Sequence, residues 1–117
     1  MTIMGNKVNE IILAFIGEPT SPTSNITSTY HGYDAFVCTE HREIKNLFKA
    51  LCMWGGATKT YTKGNDVYSY YELDCRDKEF FQSDVFKRIC KPYNVKITIC
   101  EDSKELYDSF YSQAKLY

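Results

Sequence analysis

The chain has 117 residues, a formal charge of −1, ten tyrosines, seven phenylalanines, two histidines and five cysteines. That length suits one domain and leaves no room for two independent cores, and the near-zero charge excludes the broad basic footprint of a protein that neutralises many phosphates. Five cysteines without a repeating spacing do not form the disulfide framework of a small secreted domain, so a reducing cytoplasm is the expected setting.

Residues 6 to 16 place Val8, Ile11, Ile12, Phe15 and Ile16 at a helical period, with Asn6 as N-cap and Gly17 then Pro19 as stop signals, and so predict a short helix. A buried strand is the alternative, because Ile11 to Ile16 is also a continuous apolar run. That run is shorter than a signal-peptide core and follows Glu10, so this segment is expected to stay on the mature protein. No apolar stretch approaches the roughly 18 to 20 residues needed to cross a bilayer. Residues 18 to 24, rich in Pro, Ser and Thr, read as a loop. Asn25-Ile26-Thr27 fits a glycosylation acceptor, but in a cytoplasmic chain it is part of a polar loop.

Residues 25 to 30 and 33 to 38 are β-prone and separated by His31-Gly32, a connection suited to a tight hairpin. Thr39 is the expected N-cap of the next helix, whose apolar face runs through Ile44, Leu47, Phe48, Leu51 and Trp54 to Gly55-Gly56. A second hairpin joins 58–62 to 67–75 around Lys63-Gly64-Asn65-Asp66. In its second strand Tyr68 and Tyr70 share one face and Tyr71 and Leu73 the other, so one face must be exposed and aromatic or else be covered. A helix over 78–91 packs Phe81, Val85, Phe86 and Ile89 inward and ends at Pro92; its Lys87, Arg88 and Lys91 read as a solvated face. Val95 to Cys100 alternates as a strand. Asp102 with Glu105 makes a capping-box-like start to a last helix bearing Leu106, Phe110, Ala114 and Tyr117, with Tyr107 and Tyr111 beside them.

The expected fold is therefore α+β in one domain, 1–117. Its core over 33–100 has the order strand, helix, strand, strand, helix, strand, the ferredoxin-like arrangement, on an antiparallel or mixed sheet. Residues 1–32 add a helix, a loop and a strand, and 101–117 a helix.

On this reading the strands ending at Cys38 and Cys75 run parallel and adjacent and bring both cysteines to one edge, beside His41. Cys38 and His41 form a C-x2-H pair, Cys75 adds a soft ligand, and Asp77, with Asp74 or His31 as substitutes, completes a tetrahedron for zinc. Against it, only one pair has ligand-like spacing, and free cysteines are more often small buried hydrophobes. Cys52 lies 11 residues beyond His41, roughly 16 Å along the helix, and belongs with Cys90 and Cys100 in core packing at the other end. Catalysis through a Cys38 thiolate with His41 as base, or through His31 and His41 as in a ribonuclease, is the third class. No phosphate loop, nucleophile elbow or metalloprotease helix accompanies either pair. Carboxylate pairs such as Asp74 and Asp77 or Glu101 and Asp102 read as caps and solvated faces.

The tyrosines and acids supply the expected partner surface: Tyr68, Tyr70, Glu72 and Asp74 on the hairpin, and Tyr107, Asp108 and Tyr111 on the tail helix. Cross-strand pairing within the sheet accounts for about half of the hairpin tyrosines. A short chain rich in Lys, Asn, Ile and Tyr without an enzyme motif resembles small phage or mobile-element proteins that bind and block a host machine. What that resemblance implies is a non-enzymatic inhibitor of the anti-CRISPR kind, covering a basic nucleic-acid-binding surface of a bacterial defence nuclease in the host cytoplasm. A zinc-stabilised interaction domain is the alternative, and a homodimer burying the tail helix the companion expectation.

Overall fold

A computed structural model describes residues 8–17, 31–73 and 77–114. In chain order the elements are β1 (Glu10–Gly17), β2 (His31–Cys38), α1 (Arg42–Leu51), β3 (Lys59–Lys63), β4 (Asp66–Tyr71), α2 (Asp77–Phe81), α3 (Asp84–Cys90), a 3-10 turn (Lys91–Tyr93), β5 (Lys96–Cys100) and α4 (Lys104–Ala114). The fold is α+β on a five-stranded mixed sheet of order β3-β4-β2-β1-β5. Among the described residues no helix is long and apolar enough to cross a membrane.

The first segment is a strand and not a helix. Ile11 and Leu13 are buried on one sheet face and Ile12 and Ala14 on the other. A strand covered on both sides needs apolar residues at every position, and such a run satisfies a helical period by accident. β1 pairs antiparallel with β2, from Glu10↔Cys38 to Gly17↔His31, and parallel with β5. It therefore occupies the place beside β2 that the ferredoxin-like pairing reserves for the last strand. The strand expected over 25–30 lies outside the described residues.

α1 is one of the elements closest to expectation, with Ile44 and Phe48 fully buried and Leu47 and Leu51 packed beside them. Its start differs: His41 is the N-cap residue, and the Thr39 hydroxyl accepts the His41 N–H at 3.2 Å and donates to Asn9 Oδ1 at 2.6 Å. Its end differs too. The backbone turns extended at Cys52, which bridges to Leu73, so Trp54 leaves the helix and stands 66% exposed. β3 and β4 close as a tight hairpin on Gly64-Asn65, where Gly64 takes φ +63°, a conformation that a side chain resists.

The helix expected over 78–91 is broken at Ser83, whose hydroxyl takes the Phe86 N–H at 3.3 Å and caps α3 as a separate helix. α1, α2 and α3 cover one sheet face with a cluster of rings. Phe48 stacks on Phe81 at 5.6 Å, and Phe81 meets Phe86 edge-on at 4.8 Å. α4 covers part of the opposite face, with Phe110 set among Phe36, Tyr61 and Tyr70. The β4 tyrosines are thus covered on both faces, which answers the question their alternation posed, while Val67 at the start of the strand stays exposed.

β2 and β4 are antiparallel, paired Ala35↔Tyr71, Phe36↔Tyr70 and Val37↔Ser69. This corrects the parallel pairing expected from the sequence. The tight hairpin reverses β4 relative to β3, and β3 returns parallel to β2 through α1, so β4 inserted between them must run opposite to both.

Candidate functional site

On the α4 side of the sheet, β4 presents Tyr68 and Tyr70 to two carboxyl groups that the apolar strands carry inside. Tyr70 Oη donates to Asp34 Oδ2 at 2.6 Å, and Tyr107 Oη from α4 donates to the same oxygen at 2.6 Å. The Leu73 N–H reaches Asp34 Oδ1 at 3.2 Å. On the neighbouring strand β1, Glu10 pairs with Cys38 and Ala14 with Asp34; Tyr68 Oη donates to Glu10 Oε1 at 2.7 Å and the Thr98 hydroxyl donates to Oε2 at 2.5 Å. Asp34 is 2% exposed and Glu10 7%. Each carboxyl is held by donors from other elements, which is what allows it to remain buried.

The two carboxyls are pushed in opposite directions. Burial raises Asp34 above the usual carboxylate range, Glu72 adds to that, and the Tyr107, Tyr70 and Leu73 donors only partly offset it. For Glu10 burial also pushes upward, but the Thr98 and Tyr68 hydroxyls and the charges of Lys63 and Lys96 outweigh it and hold the group low. Tyr68, Tyr70 and Tyr107 are raised by burial first and by their carboxylate partners second, so they remain neutral donors.

Above the Asp34 cluster lies an exposed surface. Trp54 Nε1 donates to Glu72 Oε2 at 2.8 Å, and the Met53 N–H bonds the Glu72 carbonyl at 2.9 Å, which holds the segment after α1 against the end of β4. Met53 is 60% exposed and Tyr111 45%. Tyr111 stacks on Tyr107 with centroids 6.0 Å apart, and the Lys59 ammonium lies 5.8 Å from the Tyr111 ring centre. Among the described residues of α4 the exposed charges are Glu105, Asp108 and Lys104, which pairs with Asp108 at 2.9 Å; Glu101 and Asp102 precede the helix, and Glu101 accepts the Tyr33 hydroxyl at 3.0 Å. On the helices of the opposite face exposed charges of both signs occur, with Arg42, Lys45, Lys49, Lys87, Arg88 and Lys91 beside Glu43, Glu79 and Asp84.

Of the expected partner residues, Tyr70, Glu72, Tyr107 and Tyr111 come together here. Tyr68 and Tyr70 are 2% and 4% exposed, so their rings belong to the interior and only the residues above them reach a partner. Asp108 is exposed on α4, and Asp74 lies outside the described residues. Trp54, Lys59 and Asp34 were missed. A lone carboxylate inside the apolar run Tyr33-Asp34-Ala35-Phe36-Val37 and the chain's single tryptophan beside Gly55-Gly56 were the signals available.

Of the expected zinc ligands, Cys38 and His41 sit at the opposite end of the sheet from this surface. Because β4 runs antiparallel to β2, it carries the chain away from Cys38 on the way to Cys75, which removes the reason for grouping them. Cys75 and the side chains of Asp77 and His31 lie outside the described residues. The His41 ring packs on Tyr93 at 5.1 Å. Among the described residues no three His, Cys, Asp or Glu side chains converge as a metal requires. Cys52 and Cys90 border the α1–α3 core whereas Cys100 packs on the α4 side, so these thiols do not gather. A groove of about 530 Å³ beside Cys38 is lined by Thr39, Glu40, Lys45, Asn65 and Asp66, and His41 does not line it. Comparison with protein-family models, with curated proteins and with solved structures finds no match.

Proposed function

We propose that this chain is a non-enzymatic protein-binding inhibitor of the kind mobile elements use against bacterial defence nucleases, acting through the acidic, aromatic face formed by α4, Glu72 and Trp54. The observation that carries the reading is the exposed Trp54–Glu72–Tyr111 surface beside the acids of α4. Exposed Trp and Tyr anchors on a rigid base are what protein interfaces enrich, and the carboxylates of Glu72, Glu105 and Asp108 favour a partner surface of opposite charge. The basic surface of a nuclease that holds nucleic acid has that charge. Catalysis draws less support, because the most strongly buried carboxyl, Asp34, is closed to solvent and engaged at both oxygens.

The test is DNA cleavage by a panel of guide-loaded defence nucleases with and without the protein. At least one should be inhibited, and Glu72→Lys with Glu105→Lys and Asp108→Lys should raise the inhibitory concentration by about tenfold or more. A panel left at full activity, or a charge-reversed protein that inhibits as well as the original, would overturn the reading.

A further inference from the structure

We propose that Glu72, with Trp54 and Tyr111 beside it, receives the guanidinium group of an arginine on the protein partner. This rests on the protein-binding reading above and names the side chain the face selects. Glu72 is half-buried, and one of its oxygens is fixed by the Trp54 indole N–H at 2.8 Å. Its other oxygen accepts no hydrogen bond, and no cation pairs with it, among the described residues. A second carboxyl, Asp34, lies beneath it and is likewise held only by hydroxyl and amide donors. The charge of Glu72 is felt by Asp34 and by the phenols of Tyr70 and Tyr111, which places all of them within one local field.

Negative charge that has no counter-ion among the described residues, set among rings, calls for a cation and repels a phosphate. The rings already draw one: Lys59 Nζ sits 6.0 Å from the Phe110 centre and 5.8 Å from that of Tyr111, without reaching Glu72. An incoming guanidinium fits better than an ammonium. It is planar, stacks on an aromatic face, sheds water more easily and bonds a carboxylate with two parallel N–H groups.

The chain has one tryptophan, so its indole N–H gives a single nuclear magnetic resonance signal placed on the Glu72 carboxylate. N-acetyl-arginine-methylamide and N-acetyl-lysine-methylamide would be titrated separately into the labelled protein at constant ionic strength. The indole signal should shift to saturation with the arginine amide, with a dissociation constant on the order of 10 mM, and about threefold more weakly with lysine. Glu72→Gln keeps an acceptor for the indole, so the reporter survives, and should weaken arginine binding about tenfold. Equal, unsaturable shifts with both amides, or unchanged binding by Glu72→Gln, would sink the proposal. The titration needs no partner. A flat titration alongside inhibition that depends on this face discards the arginine site alone; saturation with no nuclease inhibited keeps the site and discards the inhibitor reading.

Discussion

Replacing Asp34 with alanine removes the one acceptor shared by β4, its continuation and α4. The Tyr70 hydroxyl and the Leu73 N–H, both buried, lose their partner outright, while the half-buried Tyr107 hydroxyl recovers water in part. At about 1–3 kcal/mol for each buried donor left unsatisfied, the loss sums to roughly 4 kcal/mol, a large part of the 5–15 kcal/mol that holds a domain of this size. Asparagine is the discriminating control. Its carbonyl can still accept from Leu73, its amide can donate to hydroxyls that rotate to accept, and no charge remains buried. The buried Tyr70 O–H then has no acceptor, so Asp34→Asn should cost about 1–2 kcal/mol, clearly less than alanine. Urea unfolding followed by circular dichroism at neutral pH reads both values, provided the slope with denaturant is unchanged. An alanine variant that loses less than about 1 kcal/mol, or an asparagine variant as unstable as alanine, refutes the reasoning.

The pH dependence carries opposite signs at the two buried carboxyls. Asp34 binds its proton more tightly when folded, so its contribution is fully present below the unfolded value of 3.8 and is lost as pH rises above it; Asp34→Asn should gain on the original protein over that rise. Glu10 is held low, so its contribution is present above 4.5 and lost as pH falls, and Glu10→Gln should be penalised only on the neutral side, both read from unfolding midpoints across pH. Phe110→Ala empties the ring pocket of Phe36, Tyr61 and Tyr70 and should cost about 4 kcal/mol, with hydrogen exchange across 104–114 accelerating as α4 loosens. Cys90 is buried and its thiol is pushed up to about 11, so iodoacetamide should leave it unmodified in the folded protein; labelling as fast as in urea would contradict its placement.

Much of the candidate surface was legible as residue types before it was legible as a place. Glu72, Tyr107 and Tyr111 stood out as acidic and aromatic, and the alternation of Tyr68 and Tyr70 against Tyr71 and Leu73 matched the two faces found. Their burial was not legible. Alternation sorts residues between faces without saying which face another element covers, and the cover here is α4, some forty residues away in the chain. Trp54 was placed on the helix face because it continues the apolar stripe of α1, but pairing of Cys52 with Leu73 ends the helix one turn early and turns the indole towards Glu72.

By itself the sequence determined the local elements whose signals act within a few residues. Examples are the stripe of α1, the turn at Gly64-Asn65 that needs a glycine, and the strands β3, β4 and β5. Only the tertiary structure decided that residues 10–17 are a strand buried on both sides, that β4 runs against β2, and that Asp34 and Glu10 are the acceptors for the β4 tyrosines. The physical reason is the range of the interactions. Caps, turns and periodicity are settled by neighbours along the chain, whereas burial, strand direction and the fate of a buried charge depend on which distant segments arrive to cover and satisfy it.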